Sequence, residues 1–262
     1  MQSNSSFAGV MGLGKLVSEH KLTAMNRWSN LIAGCAFVAA APALLLLALY
    51  MVYDAYSRYG LNRVDDSPFW LPLLCGIIAA PLGLYGLVQS WRNWPLAVAL
   101  YEGGFAYHDR KGLRQIRWDE IEAVWQSITK HYRYGIHTGT TYLYTIQLND
   151  KTRLTLDNKF PKIEGLGKAI TNGSANALFP KYVAALKSGQ RVTFGPLSLD
   201  LNGLRAGNKS LEWKDIKSVR IQQGMIWIKK EGGWLNWASY SVPQVPNFWI
   251  FLDLVSRFTK VE

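Results

Sequence analysis

Four histidines are the residues of this chain best suited to metal or acid–base chemistry, and their spacing argues against both. They are His20, His108, His131 and His137. Only the last two lie near each other, and a separation of six positions matches no usual pattern of metal ligands. The sequence therefore predicts no metal site and no cofactor.

The acidic residues and the cysteines give no reaction signature either. Asp119, Glu120 and Glu122 have no histidine or serine partner at a fixed spacing, so turn and surface roles are favoured over acid–base work. Cys35 and Cys75 lie in apolar stretches, and the absence of other thiols fits a reducing cytoplasm. We expect a protein that is not an enzyme and has no catalytic residues.

A surplus of basic residues indicates binding instead. The formal net charge is +11, divided as +2 for residues 1–96, +3 for 97–172 and +6 for 173–262. Basic surfaces near a bilayer attract anionic lipids by about 1 kcal/mol per Lys or Arg. An ordinary solvated basic face explains the same count, whereas nucleic acid is disfavoured because no recognition motif accompanies the charge.

Two segments contain the candidate lipid- or partner-binding residues. The first surrounds a predicted hairpin turn, and the second combines a lysine pair with two tryptophans beside a Gly-Gly turn. The candidates are Arg110, Lys111, Arg114, Lys229, Lys230, Trp234 and Trp237. For the tryptophans, the alternative is core packing or a contact between two repeated modules of the chain. A third segment, 130–142, predicts a long mobile hairpin loop, with partner binding as its alternative role.

The elements that position these residues begin with two apolar stretches, 31–53 and 69–88, which contain no Asp, Glu, Lys or Arg. Their 23 and 20 residues suit the roughly 20 residues of helix that cross a bilayer. They predict a transmembrane hairpin within 31–92, with helices near 31–53 and 69–89, after a polar, flexible tail at 1–30. A signal peptide is the alternative for the first stretch, but its length and position favour an anchor.

The flanks of the hairpin predict its orientation. The loop between the stretches has fewer Lys and Arg residues than the two flanks together, so both termini are expected in the cytoplasm. Small residues recur four positions apart, as Ala36 with Ala40 and Gly76 with Ala80. They predict close helix contacts within the hairpin or with another subunit.

The soluble part contains a recurring segment. Residues 116–124 (IRWDEIEAV) return 95 positions later as 211–219 (LEWKDIKSV), with Trp118 and Trp213 in register. Each copy follows a predicted Gly-containing hairpin and precedes alternating apolar runs that predict antiparallel strands. Apolar faces at 175–187 and 247–259 predict a closing helix for each copy. We expect two modules, 97–188 and 190–262, each a bent antiparallel sheet capped by a helix.

On this motif, and on the order of strands and final helix, residues 97–262 resemble the bacterial pleckstrin-homology-like domains that follow a two-helix membrane anchor in many envelope proteins. The resemblance implies tandem modules of that fold, with Trp118 and Trp213 as core residues, and it implies no catalytic residues. The second module is shorter and less regular. The expected fold class is a membrane-anchored α+β protein, multi-pass in a bacterial inner membrane.

The leading functional hypothesis is a non-enzymatic integral membrane protein that presents tandem modules at the cytoplasmic face for protein or anionic-lipid binding. The alternative is a structural or accessory subunit of a larger membrane complex, assembled through the hairpin. The expected partners are membrane lipids, with anionic headgroups among them, and either an unidentified protein or a second copy of the chain.

Overall fold

The computed structural model describes residue 7 and residues 9–60 and 67–262. These residues form two compact units. The helical unit comprises Lys21–Ala97 and His108–Gly112. The β unit comprises the described residues up to His20 together with Val98–Tyr107 and Leu113–Glu262.

Two long apolar helices form the helical unit, as predicted. Helix α1 spans Ala24–Tyr59 and α2 spans Trp70–Asn93, so both extend beyond the predicted stretches. The Thr23 hydroxyl caps α1 by accepting a hydrogen bond from the Asn26 backbone N–H at 3.3 Å. Three charged residues of the predicted loop lie outside the described part of the chain, namely Arg63, Asp65 and Asp66.

Small residues line the contact between α1 and α2. On α1 they recur every seven positions and are buried, namely Gly34, Ala41, Ala48 and Ala55. On α2 the buried positions are Pro72, Gly76, Ala79, Gly83 and Ser90. A Cβ added to Gly83 would lie 2.8 Å from the Val38 backbone nitrogen, so glycine is required for this approach. The predicted pair Ala36 and Ala40 is instead exposed.

The first sheet contains a strand in the stretch that was predicted to be a flexible tail. Its order is β1-β2-β3-β4, and the strands are Leu16–Lys21, Ala97–Tyr101, Gly104–Asp109 and Gly112–Arg117. Just before β1, the Leu13 carbonyl accepts a hydrogen bond from the Gly103 N–H at 2.8 Å. The two helices are therefore an insertion between neighbouring strands of one sheet. Strand β1 could not be predicted from local pattern, because its partner strand begins only after both helices.

A three-stranded antiparallel sheet and a helix follow. After a 3₁₀ turn at Trp118–Glu120 come β5 (Ile121–Arg133), β6 (Ile136–Leu148), β7 (Arg153–Asp157) and α3 (Ile163–Lys187). The β5-β6-β7 order makes β6 the central strand.

The same order of elements then occurs again. A four-stranded sheet comprises β8 (Val192–Phe194), β9 (Leu197–Leu199), β10 (Gly203–Ala206) and β11 (Lys209–Glu212). After a 3₁₀ turn at Trp213–Asp215 come β12 (Ile216–Gln222), β13 (Met225–Lys230), β14 (Asn236–Ser241) and α4 (Phe248–Ser256). The β unit thus has two halves, one ending in α3 and the other in α4.

The two motif tryptophans make the same hydrogen bond in the two halves. The Trp118 indole N–H donates to the Glu102 carbonyl at 2.8 Å, and the Trp213 indole N–H donates to the Asp200 carbonyl at 3.0 Å. Each acceptor lies in the turn between the second and third strands of its four-stranded sheet. Both tryptophans are half-buried at the passage from one sheet to the next, and Trp213 packs against the hydrophobic cluster of the second half.

Helix α3 is about twice as long as the predicted 175–187 helix and contacts both halves of the β unit. In its first half, Gly167 lies against the buried ring of Tyr144. In its second half, Leu178 and Leu186 belong to a hydrophobic cluster formed with β8–β13 and α4. One helix therefore completes two cores.

Asn247 joins the two halves by hydrogen bonds at the start of α4. Its backbone N–H donates to the Val124 carbonyl at 2.8 Å, and its side-chain Oδ1 accepts from the Val124 N–H at 3.0 Å. Its side-chain nitrogen donates to the Glu122 carbonyl at 3.0 Å and contacts the Tyr182 hydroxyl at 3.1 Å. The residue is 6% exposed and has a φ of 51°, a conformation that asparagine tolerates well. Lys162 occupies the corresponding position before α3, with a φ of 54°.

Replacing Asn247 tests this junction. Asn247→Gly keeps the positive φ but removes the side-chain hydrogen bonds and leaves the buried Val124 N–H without a partner. We expect the free energy of unfolding to fall by about 1–3 kcal/mol, measured by thermal unfolding of the full chain in detergent. Lys162→Gly is the matched control and should leave stability unchanged or slightly raised. Equal losses in the two variants would contradict the role of Asn247.

Replacing Gly167 tests the contact between α3 and the first half. Alanine normally stabilises a helix relative to glycine by about 1 kcal/mol, but a Cβ at Gly167 would overlap the ring of Tyr144. We expect Gly167→Ala to lower the free energy of unfolding by about 1–3 kcal/mol. Gly165→Ala, whose methyl group would meet open space, should not destabilise the protein. A more stable Gly167→Ala protein would show that the helix does not approach the ring so closely.

Candidate functional site

The histidines are all engaged in hydrogen bonds that hold local structure. Their partners, for His20, His108, His131 and His137 in that order, are the Pro161 carbonyl, the Pro95 carbonyl, the Thr141 hydroxyl and the Thr140 hydroxyl, at 2.7–3.0 Å. Within residues 7, 9–60 and 67–262, no three His, Cys, Asp or Glu side chains come together as metal ligands would.

The carboxylates of the motif segment pair with cations. Asp119 lies 3.0 Å from the Arg117 guanidinium, and Glu122 lies 2.6 Å from the Lys151 ammonium group. These hydrogen-bonded ion pairs lower the pKa of both carboxyl groups, so both remain ionised at neutral pH. Neither carboxylate is thereby suited to act as a general acid.

Arg110 lies against the end of α2. Its guanidinium carbon is 3.3 Å from the centre of the Trp91 ring, which is a cation–π contact. His108 holds the β3–β4 turn in place, because its ring Nδ1 donates to the Pro95 carbonyl at 2.8 Å. Lys111 is exposed in the same turn. The structure thus brings two of the predicted residues, Arg110 and Lys111, to the helix end.

Further cations and indole rings lie at this end of the helical unit. Trp28, at the start of α1, meets Trp94 edge to face with 5.4 Å between ring centres. The helix-end basic cluster, as we call it, comprises Arg27, Trp28, Trp91, Arg92, Trp94, Arg110 and Lys111. Asp109 is the nearest acidic residue in the described part of the helical unit. In the last turns of α1, Asp54 pairs with Arg58 at 2.8 Å, so the charges there cancel.

Arg114, the third predicted residue of this segment, belongs to the β unit. It is half-buried on β4. Hydrogen bonds from Thr152 lower the pKa of Asp150, and the positive charge of Arg114 adds to this effect. Arg114 therefore acts on a carboxylate of the β unit and is not part of the helix-end basic cluster.

The β13–β14 hairpin carries the other four predicted residues. Trp234 is 96% exposed at its tip, Lys230 is exposed, and Lys229 is half-buried. Neither lysine pairs with a carboxylate in the part of the chain that the structure describes. Trp237 packs instead against the hydrophobic cluster of the second half. The structure thus leaves Trp234 free to make an external contact and makes Trp237 a packing residue.

The β5–β6 hairpin is a surface that the sequence analysis treated as a mobile loop. Both strands have 13 residues, and they remain paired as far as Arg133 and Ile136. We call residues 128–141 the β5–β6 finger. The sequence contains a signal for an exposed binding surface here, because no Asp or Glu occurs between Glu122 and Asp150 while apolar and aromatic residues recur.

Comparison with known proteins adds a family but no activity. No curated protein and no solved structure matches this chain. A family match covers residues 1–262, which is the whole chain. The protein therefore belongs to the Family of unknown function (DUF6585).

Proposed function

We propose that this is an integral membrane protein whose two helices cross a bilayer and tether the β unit, with basic residues binding anionic lipid headgroups. One observation carries the proposal, namely that the apolar side chains of α1 and α2 are mostly exposed. In the most apolar window of each helix only 17% and 22% of the residues are buried, although the helices have 36 and 24 residues. An exposed apolar surface of this extent favours a lipid environment over water.

The charge at the helix ends supports an orientation. The helix-end basic cluster has four cations, whereas Arg58 near the other end is neutralised by Asp54. Because Lys and Arg favour the cytoplasmic side, we propose that the cluster and both chain termini face the cytoplasm. From the resemblance of its modules to bacterial domains, we propose a bacterial inner membrane as the location.

We propose further that the two halves of the β unit are copies of one pleckstrin-homology-like module. The shared order of elements and the shared tryptophan hydrogen bond support this. A second support is a glycine at the start of the third strand of each four-stranded sheet. A Cβ at Gly104 would overlap the Ile116 carbonyl, and one at Gly203 would overlap the Leu211 carbonyl. Ile116 and Leu211 are themselves 95 positions apart, in the register of the motif.

The helix-end basic cluster is the proposed headgroup site. Indole rings favour the interface between lipid tails and water, so Trp91 marks the depth at which Arg110 would lie. A cation held at that depth meets lipid phosphates without a further conformational change. We propose binding, not catalysis, as the activity, because the histidines and the motif carboxylates are engaged in structural contacts.

The native cysteines test whether the helices lie in lipid. Cys35 and Cys75 are exposed on the outer surface of the helices, so in water both thiols would react with a water-soluble maleimide. In proteoliposomes we expect neither to react until the protein is unfolded in SDS. Asn208→Cys, at an exposed turn of the β unit, should react at once under the same conditions. Rapid labelling of the native protein would contradict the membrane anchor.

The headgroup site is tested by removing its two turn cations. We expect Arg110→Ala combined with Lys111→Ala to weaken phosphatidylglycerol binding by about 2 kcal/mol, which is on the order of 30-fold in Kd. Native mass spectrometry of the full chain in detergent measures the bound lipid. Lys209→Ala combined with Lys217→Ala removes the same charge from exposed strands and should have little effect.

Two results would decide against lipid binding at this site. One is an equal loss of bound phosphatidylglycerol in both double variants, which would indicate a non-specific charge effect. The other is unchanged lipid binding together with a membrane protein that co-purifies in stoichiometric amount. That result would favour the alternative, an accessory subunit assembled through the helices.

A further inference from the structure

The β5–β6 finger projects beyond the sheet that supports it. Strand β7 pairs with β6 only from Leu143 to Gln147, so the finger itself is two-stranded. Its base is fixed by Asn158, whose Oδ1 accepts from the Tyr142 N–H at 2.6 Å and whose side-chain nitrogen donates to the Thr140 carbonyl at 2.8 Å. Beyond that point neither strand has a neighbour on its other side among the described residues.

A second hydrogen bond holds the base to α3. The Tyr142 hydroxyl donates to the Glu164 carboxylate at 2.9 Å, and this bond raises the pKa of Tyr142. The root of the finger is therefore anchored to α3, whereas the hydrogen bonds of the tip all lie within the hairpin itself among the described residues. Two-stranded hairpins are marginally stable in water, so such a tip gains from an external contact.

The tip exposes large side chains that a water-soluble hairpin would not need. Tyr132 is 62% exposed, Tyr134 is 92% exposed, and Ile136 is 71% exposed. The Arg133 guanidinium lies 5.7 Å from the centre of the Tyr134 ring. A phenol ring beside a cation is the combination that recurs where proteins meet the lipid headgroup layer.

The charged side chains of the finger are all positive. Lys130 and Arg133 are its charged residues at neutral pH, and neither pairs with a carboxylate in the part of the chain that the structure describes. No Asp or Glu lies between Glu122 and Asp150 in the sequence, and Glu164 at the root of the finger is paired with Lys168 and bonded to Tyr142. A surface of this kind is complementary to an anionic one.

Strand direction determines the end of the first half from which the finger extends. In the β6–β7 turn, the Asn149 N–H donates to the Glu120 carbonyl of the 3₁₀ turn. In that 3₁₀ turn, the Trp118 indole N–H donates to the Glu102 carbonyl of the β2–β3 turn. These three turns therefore lie at one end of the first half. β1 starts at that end too, since the Lys15 carbonyl accepts from the Glu102 N–H. β1 and β5 both run away from it, and the 13 residues of β5 reach about 40 Å. The finger therefore extends away from the end of the first half that holds these three turns.

We propose that the tip of the β5–β6 finger inserts into the headgroup layer of an anionic bilayer. The side chains of Tyr132, Tyr134 and Ile136 enter the interface, and Lys130 and Arg133 bind lipid phosphates. This inference rests on the proposed function, because α1 and α2 keep the bilayer within reach. Such a tether gives a high effective concentration, so a weak contact at the tip is sufficient.

A bilayer fits the tip better than a protein partner does. Peptide recognition by a strand edge uses pockets for alternate side chains, and the most exposed side chains of the tip, Tyr134 and Ile136, do not line the cavity beside β5. The tip combines amphipathic rings with cations of one sign, which suits a fluid anionic layer with no fixed shape.

A fluorescent label at the tip tests the insertion. In the full chain with Cys35→Ser and Cys75→Ser, we would introduce Tyr134→Cys and attach the environment-sensitive fluorophore NBD. The protein would be placed in nanodiscs of phosphatidylcholine, with or without phosphatidylglycerol, that contain a lipid with a quencher on its tail. We expect a blue shift and at least two-fold quenching in anionic nanodiscs, both reduced by salt. The same label at Asn208→Cys should show neither.

Charge reversal provides the matched test of the cations. Lys130→Glu combined with Arg133→Glu should abolish the difference between anionic and neutral nanodiscs while the label remains on the tip. Lys209→Glu combined with Lys217→Glu reverses the same charge elsewhere and should leave the quenching unchanged. If the Tyr134→Cys protein does not fold, Ile136→Cys carries the label instead, because its side chain is also exposed.

The outcomes separate this inference from the proposed function. A tip label that is equally unquenched in both nanodiscs, when Cys35 and Cys75 of the unsubstituted protein are protected from maleimide, overturns the finger contact and leaves the anchor intact. Reactive Cys35 and Cys75 overturn the anchor itself. Quenching that persists unchanged after charge reversal also overturns the proposal, because the cations would then have no part in it.

Discussion

The pairing of β1 with β2 is the constraint on which the rest of the structure depends. These strands are neighbours in one sheet, yet 75 residues with two apolar helices separate them in the chain. The sheet forms only if the chain leaves it after β1, continues through both helices and returns to it at β2. For that reason a soluble fragment that starts at Ala97 would lack an edge strand, and the β unit and the helices must be studied as one chain.

The β unit is also held together more tightly than a string of two modules. Helix α3 contributes Leu178 and Leu186 to the core of the second half, and Asn247 of the second half binds the edge of β5 in the first. The linker between the halves is therefore short and structured. Through α3, the root of the β5–β6 finger and the second core share one rigid element.

The sequence predicted the elements that depend on local pattern and missed those that depend on distant partners. The helices could be predicted because charges are absent from both stretches, and the motif tryptophans because they recur in register. The first half of α3 contains Gly165, Gly167 and Gly173, which lower helix propensity, so only its second half was predicted. Neither the cation–π contact of Arg110 with Trp91 nor the inward turn of Trp237 follows from spacing, because each depends on how separate elements pack.

We propose that anionic lipid contacts the protein at two defined places, the β3–β4 turn and the tip of the β5–β6 finger. Hydrogen–deuterium exchange of the full chain in nanodiscs tests both at once. We expect slow exchange throughout α1 and α2 in any lipid, and slower exchange in 108–112 and 128–141 when phosphatidylglycerol is added to phosphatidylcholine. Exchange that slows evenly over the whole β unit, or that does not respond to the anionic lipid, would contradict it.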